Sequence, residues 1–205
     1  MQFKNTDGKP KYFTRLAVDK LIVNKQVYTA SNLEDLPSPI KPSILFTPST
    51  EDQVSFFSPN SPLSNMYPSS FTIDGKKFNC MEQYIVTKKA ELFSDQKVVV
   101  EVAQETNPFK QKQIGKKVER FDRPKWETES PSLILPGLRA KFEQNELCRK
   151  VLMESGNKRI VEANPHDKFF GAGISLRDDN IWKPDKLVGR NEMGKMLVKI
   201  RELIK

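Results

Sequence analysis

Apolar and polar positions along the chain fall into short alternating blocks and longer helical stripes. Near the N-terminus, KLIV and QVYT predict two short strands, residues 20–23 and 26–29, joined by a turn at Asn24-Lys25. Ser31 or Asn32 then caps a small helix, and four prolines in PSPIKPSILFTPSTED predict an extended linker. VSFF reads as a buried strand, followed by the turn-rich SPNSPLSNMYPSS. FTIDGKKFN predicts a hairpin, because apolar positions flank Asp74-Gly75, a pair suited to a two-residue turn with positive φ.

Asn79 is placed to cap a helix over 81–93, on which Met81, Tyr84, Ile85 and Leu92 share a stripe. Further helices are predicted over 96–104, over 108–117 with Asn107 as cap and Pro108 in the first turn, and over 132–144 with an interruption at Pro136-Gly137. A helix over 145–155 ends at Gly156, KRIVEAN reads as a strand, and residues 165–190 are irregular. The last helix, 191–204, buries Met193, Met196, Leu197, Ile200, Leu203 and Ile204. The expected class is therefore α+β, predominantly helical with a few short strands. No βαβ alternation suggests a parallel sheet. Residues 1–53 are expected to form a small appendage and linker of unknown role, and 54–205 the main domain.

Composition narrows the chemistry. The 205 residues are 37% hydrophobic and 29% charged, an ordinary globular balance. No run of about 18 apolar residues exists to span a membrane. Without an apolar h-region at the start, a cytoplasmic or nuclear location is expected. One histidine, His166, and two separated cysteines, Cys80 and Cys148, leave no conventional zinc set and no disulfide scaffold. Carboxylates, lysine and aromatics remain as the chemical material, with no metal or cofactor required. The formal charge of +8 favours an anionic partner, nucleic acid or a phosphate-bearing small molecule.

Two constellations stand out. In CMEQYIVTKKAELF, Glu82 and Lys89 are seven residues apart, two turns along nearly one face of a helix. Glu82 lies in the first turn, where the helix dipole favours a carboxylate, and a semi-buried setting would perturb both groups. The plain alternative is a capping Glu and a solvent-facing Lys. In NPHDKFFGAG, Asp167 is a candidate acid, base or hydroxyl acceptor, while Phe169 or Phe170 offers a stacking face. Gly171 and Gly173 allow close backbone approach there. The plain alternative is a surface turn. Alone, Trp126 reads as packing, Ser64-Asn65 as a turn and Asn191 as a cap.

Taken in order, these segments resemble the YbiA-like, or NADAR, family. The resemblance is carried by FFSPNSPLSNMYPSSFTIDGKKFNCMEQYIVTKKAELF, then NPFKQKQIGKKV, Trp126, LRAKFEQNELCRKVLMESGNKRIVEANPHDKFFGAG and GRNEMGKMLVKIREL. It covers residues 54–205. It implies a compact, mostly helical α+β fold and hydrolysis of an N-glycosidic bond to ribose. The implied substrate is an ADP-ribosyl group on guanine, in nucleic acid or a nucleotide. Phosphoribosyl intermediates of riboflavin biosynthesis are the alternative, and a non-catalytic module binding ADP-ribose or an NAD derivative is a third reading.

Carried over by matching motif, Glu82, Lys89 and Asp167 are the candidate catalytic residues. Ser64, Asn65, Trp126, Phe170, Gly171, Gly173 and Asn191 would line the substrate site. The resemblance leaves Lys89 either a cationic donor to the leaving group or phosphate, or an amine nucleophile forming a Schiff base. Phe170 stands where many members have Trp, which keeps stacking area but loses the indole N–H. The oligomeric state is not indicated.

Overall fold

The computed structural model describes Leu21–Val23, Gln26–Tyr28 and residues 49–205. The turn at Asn24-Lys25, the small helix after Ser31 or Asn32 and most of the Pro-rich stretch lie outside the described residues. Strands β1 (Leu21–Val23) and β2 (Gln26–Tyr28) pair antiparallel with Val23 opposite Gln26, as the patterning predicts. The chain divides into two compact units, one running up to Ser64 and resuming at Met153–Val198, the other formed by Asn65–Leu152 with Lys199–Lys205.

In the first unit, β3 (Gln53–Phe56) is buried throughout and pairs with β6 (Arg159–Glu162). The pairing is parallel, which corrects the expectation of no parallel sheet. A βαβ rhythm is absent because five helices separate the two strands in sequence. Buried Gln53 ties this pair to later chain, its Nε2 donating to Ser55 Oγ and to the Ile181 carbonyl, both at 2.7 Å. Val161, Ala163, Ala172, Ile174, Leu176 and Ile181 form the core beneath β6, with Trp182 and Leu187 packed on it.

The second unit is built around α1 (Met81–Leu92), against which α2 (Gln96–Gln104), α3 (Pro108–Gly115) and α4 (Arg123–Gln144) pack. Burial therefore extends well beyond one stripe: Met81, Tyr84, Val86 and Ala90 are buried, and so are Gln83 and Thr87. Its N-cap is Cys80, with no side-chain cap, rather than Asn79. The Asn79 amide is occupied elsewhere, donating to Thr106 O at 2.6 Å and accepting from Gln111 Nε2 at 2.9 Å. Gln83 Oε1 reaches back to accept the Asn79 N–H instead.

Strands β4 (Phe71–Ile73) and β5 (Lys76–Phe78) form the predicted hairpin, with φ of 49° at Asp74 and 74° at Gly75.

A single helix, α4, runs through both Pro131 and Pro136, where an interruption is expected from sequence. It starts early because Asp122 Oδ1 accepts from Lys125 N at 2.6 Å and Pro124 occupies the first turn. Burial of Ile134, Leu138 and Phe142 then outweighs the missing proline N–H groups. Helix α5 (Glu146–Glu154) follows, and Gly156 has φ of 56° beyond its end.

The last helix, α6 (Glu192–Leu203), buries Met193, Met196, Leu197 and Ile200 as predicted, but Leu203 is 58% exposed. No helix among the described residues is long and apolar enough to cross a membrane.

Candidate active site

Sequence-predicted site residues fall in both units, and each group has its own geometry. In the second unit, Glu82 opens the first turn of α1, where its backbone N–H donates to the Asn65 carbonyl at 2.8 Å. That bond satisfies one of the donors a helix start leaves over, and it sets Asn65 beside Glu82. The Asn65 Oδ1 atom is buried and accepts no hydrogen bond among the described residues. A buried amide acceptor left in that state favours a donor brought by a ligand or water.

Two turns further along, Lys89 is half-buried. Its Nζ donates to the Gly115 carbonyl at 2.8 Å and lies 4.0 Å from the centre of the Phe121 ring. Burial pulls its pKa below the ordinary lysine range, with the Glu82 carboxylate acting in the opposite sense. The plain reading of a solvent-facing lysine therefore fails, and the Glu82 carboxylate two turns back acts on the amine electrostatically. Trp126 is buried in the first turn of α4, its backbone N–H donating to Asp122 O at 3.0 Å.

Sequence reasoning passed over Gly115 and Phe121, the two groups that hold the amine. Some signal was available: the Asp122 cap and Pro124 mark where α4 starts, and hence that Phe121 sits just ahead of a helix.

In the first unit, Asp167 Oδ1 accepts from the N–H groups of Phe169 and Phe170 at 2.8 and 2.9 Å. This turn sets the two rings edge to face at 4.8 Å, Phe169 buried and Phe170 half-buried. Gly171 is required by proximity, since a Cβ there would come 2.8 Å from Asn164 Cβ. Gly173 has φ of 67°, which favours glycine. Carbonyls of Phe169 and Phe170 accept the first N–H groups of α6, from Glu192 and Met193, at 3.0 and 3.1 Å.

Asn191 is buried. Its Oδ1 accepts Glu162 N at 2.9 Å and its Nδ2 donates to Ile160 O at 2.8 Å, so its amide extends the edge of β6. Ser64 is buried, with its N–H on Ser61 O at 2.8 Å. Among the described residues no cluster of three or more His, Cys, Asp or Glu side chains is arranged to hold a metal.

Residues 47–205 match the family model of the NADAR domain. The chain is 35% identical over 144 residues to N-glycosidase R617 of Acanthamoeba polyphaga mimivirus, covering 68% of this chain and 85% of that protein. It is 27% identical over 139 residues to N-glycosidase YbiA of Escherichia coli, covering 68% and 78%. The solution NMR structure of E. coli YbiA superposes with a TM-score of 0.62 at 24% identity, covering 81% of this chain and 92% of that one. The mostly helical α+β fold is thus shared with YbiA.

Proposed function

Because the chain belongs to the NADAR family and is a glycosyl hydrolase, we propose that it cleaves the ribosyl C–N bond of ADP-ribosylated guanine. The observation that carries this reading is the half-buried Lys89 amine on one helix with Glu82. Breaking the bond builds positive charge on the sugar and negative charge on the departing base. Glu82 stabilises the sugar charge and activates water, with the buried Asn65 Oδ1 beside it to accept a sugar hydroxyl. A lowered lysine pKa enlarges the neutral amine fraction, which supports attack of Lys89 on C1″ of the sugar. The C1″–N bond to guanine breaks and the base takes up the proton shed by the attacking amine. The sugar ring then opens at O4″ to give the imine, and its hydrolysis by water releases ADP-ribose and restores the amine.

A nucleic-acid context for the guanine is supported by charge. Residues 109–125 carry seven Lys or Arg against two acids, Glu119 and Asp122, and Phe109 there is exposed. The test is to compare kcat/KM on an oligonucleotide bearing ADP-ribosyl guanine with that on a phosphoribosyl riboflavin-pathway intermediate. A higher value on the oligonucleotide, falling as salt rises, is expected. Preference for the small intermediate would replace this substrate, and tight binding of ADP-ribose without turnover of either would mark a sensor.

A further inference from the structure

The seven residues from Gly115, the last residue of α3, to Phe121 contain both groups that touch the end of Lys89. Gly115 supplies a carbonyl and Phe121 a ring. Phe121 is not placed there by burial, since it is 42% exposed. It is placed by its neighbours. Asp95 Oδ2 accepts the Glu119 N–H at 2.9 Å, while Asp95 Oδ1 caps α2 through Val98 N at 3.1 Å. On the other side Asp122 caps α4. Between these two anchors Arg120 takes φ of 54°, a left-handed conformation that a side chain of this size disfavours. Phe93 then fixes the ring edgewise at 5.4 Å.

Backbone strain spent to hold a largely exposed ring against an amine needs a reason that core packing does not give. We infer that Phe121 is a positioning residue, which holds the Lys89 amine on the Gly115 carbonyl and orients it for attack. This rests on the reading of Lys89 as a reacting amine. The ring's negative face attracts the ammonium form and its bulk covers the nitrogen from water, so the amine is held in one place until it loses its proton.

The charged group acting on Lys89 is Glu82 of its own helix. The segment after α3 presents an uncharged carbonyl and an uncharged ring. Beyond them, Lys125 approaches the Phe93 ring at 5.7 Å, and Arg120 lies by Asp95.

The test uses the full chain with Phe121→Leu, Phe121→Ala and Phe121→Tyr. Leucine keeps the apolar cover but loses the ring's attraction for the ammonium. The Lys89 titration, read by competitive acetylation and mass spectrometry across pH, should therefore fall by about half a unit, the exposed-site strength of such a contact. Alanine admits water and should titrate above leucine. Turnover of Phe121→Leu should drop about tenfold in kcat although its amine is more often neutral, because the nitrogen is no longer held in line. Tyrosine should restore both readouts. A leucine variant with the wild-type titration and wild-type kcat overturns the inference. Labelling needs no substrate, so a protein inactive on ADP-ribosyl guanine still decides this point separately.

Discussion

Lys89 Nζ reaches the Gly115 carbonyl at 2.8 Å because residue 115 has no side chain: a Cβ there would lie 2.7 Å from Val86 Cγ2. Gly115 therefore sets the spacing of α1 and α3 at the point where the amine is held. Substituting Gly115→Ala should push the end of α3 outward and lower kcat/KM by about tenfold or more, since misplacement of about 1 Å is costly. The double variant Gly115→Ala/Val86→Ala should recover most of that loss. Steady-state kinetics on the three proteins decide it, and an unaffected single variant would show that the spacing does not matter.

Two amines, half-buried Lys89 and buried Lys141, make stability depend on pH with a definite sign. Burial lowers the pKa of Lys89 and of the fully buried Lys141 from 10.5. Between each lowered value and 10.5 the unfolded chain binds more protons, so stability rises with pH, and the penalty is complete below the folded value. Cys80 works the other way, its thiol pushed from 9.0 up to about 11 by burial. Urea unfolding of wild type and Lys141→Met across pH 8 to 10 isolates the lysine. The wild type should gain on the variant as pH rises, and parallel curves would contradict the assignment.

Gly137 sits where α4 crosses the Tyr84 ring, and a Cβ there would overlap that ring. Tyr84 cannot move aside, because Phe71 and Phe78 contact it and its hydroxyl donates to Leu133 O at 3.1 Å. Gly137→Ala gains about 1 kcal/mol of helix propensity but should lose about 1–3 kcal/mol to overpacking. The melting temperature should fall by a few degrees in a thermal scan, and a rise would show that the helices separate freely.

Much of the fold was legible, and the failures have physical causes. The Asp74-Gly75 hairpin, the Asn107 cap and the Gly156 stop depend on local backbone chemistry, which the sequence carries directly. The β3–β6 pair is non-local, and no local pattern announces two strands with five helices between them. Pro136 predicts a broken helix from local chemistry, and buried Ile134 and Leu138 override it. For the candidate site, spacing places Glu82 and Lys89 on one helix, and the family resemblance singles them out. Their holders were not legible, because a carbonyl at Gly115 leaves no side-chain signature and Phe121 meets the amine only through the tertiary fold.

Both thiols are buried, and Cys80 Sγ donates to Gln111 Oε1 at 3.1 Å. With burial raising both pKa values, thiolate is scarce at pH 8. Alkylation by iodoacetamide at pH 8 should proceed only as the protein opens, and should accelerate sharply in urea. Prompt labelling of the folded chain would contradict the buried placement.

The Glu82–Lys89 pair on α1 is proposed to hydrolyse a ribosyl C–N bond. Its most direct test is release of free ADP-ribose from an oligonucleotide carrying ADP-ribosyl guanine, followed for wild type, Glu82→Gln and Lys89→Ala. Release by the wild type that drops about 100-fold or more in both variants, each still folded by circular dichroism, is the predicted result. Release that survives in both variants would place the chemistry elsewhere, and no release by the wild type would remove ADP-ribosyl guanine as the substrate.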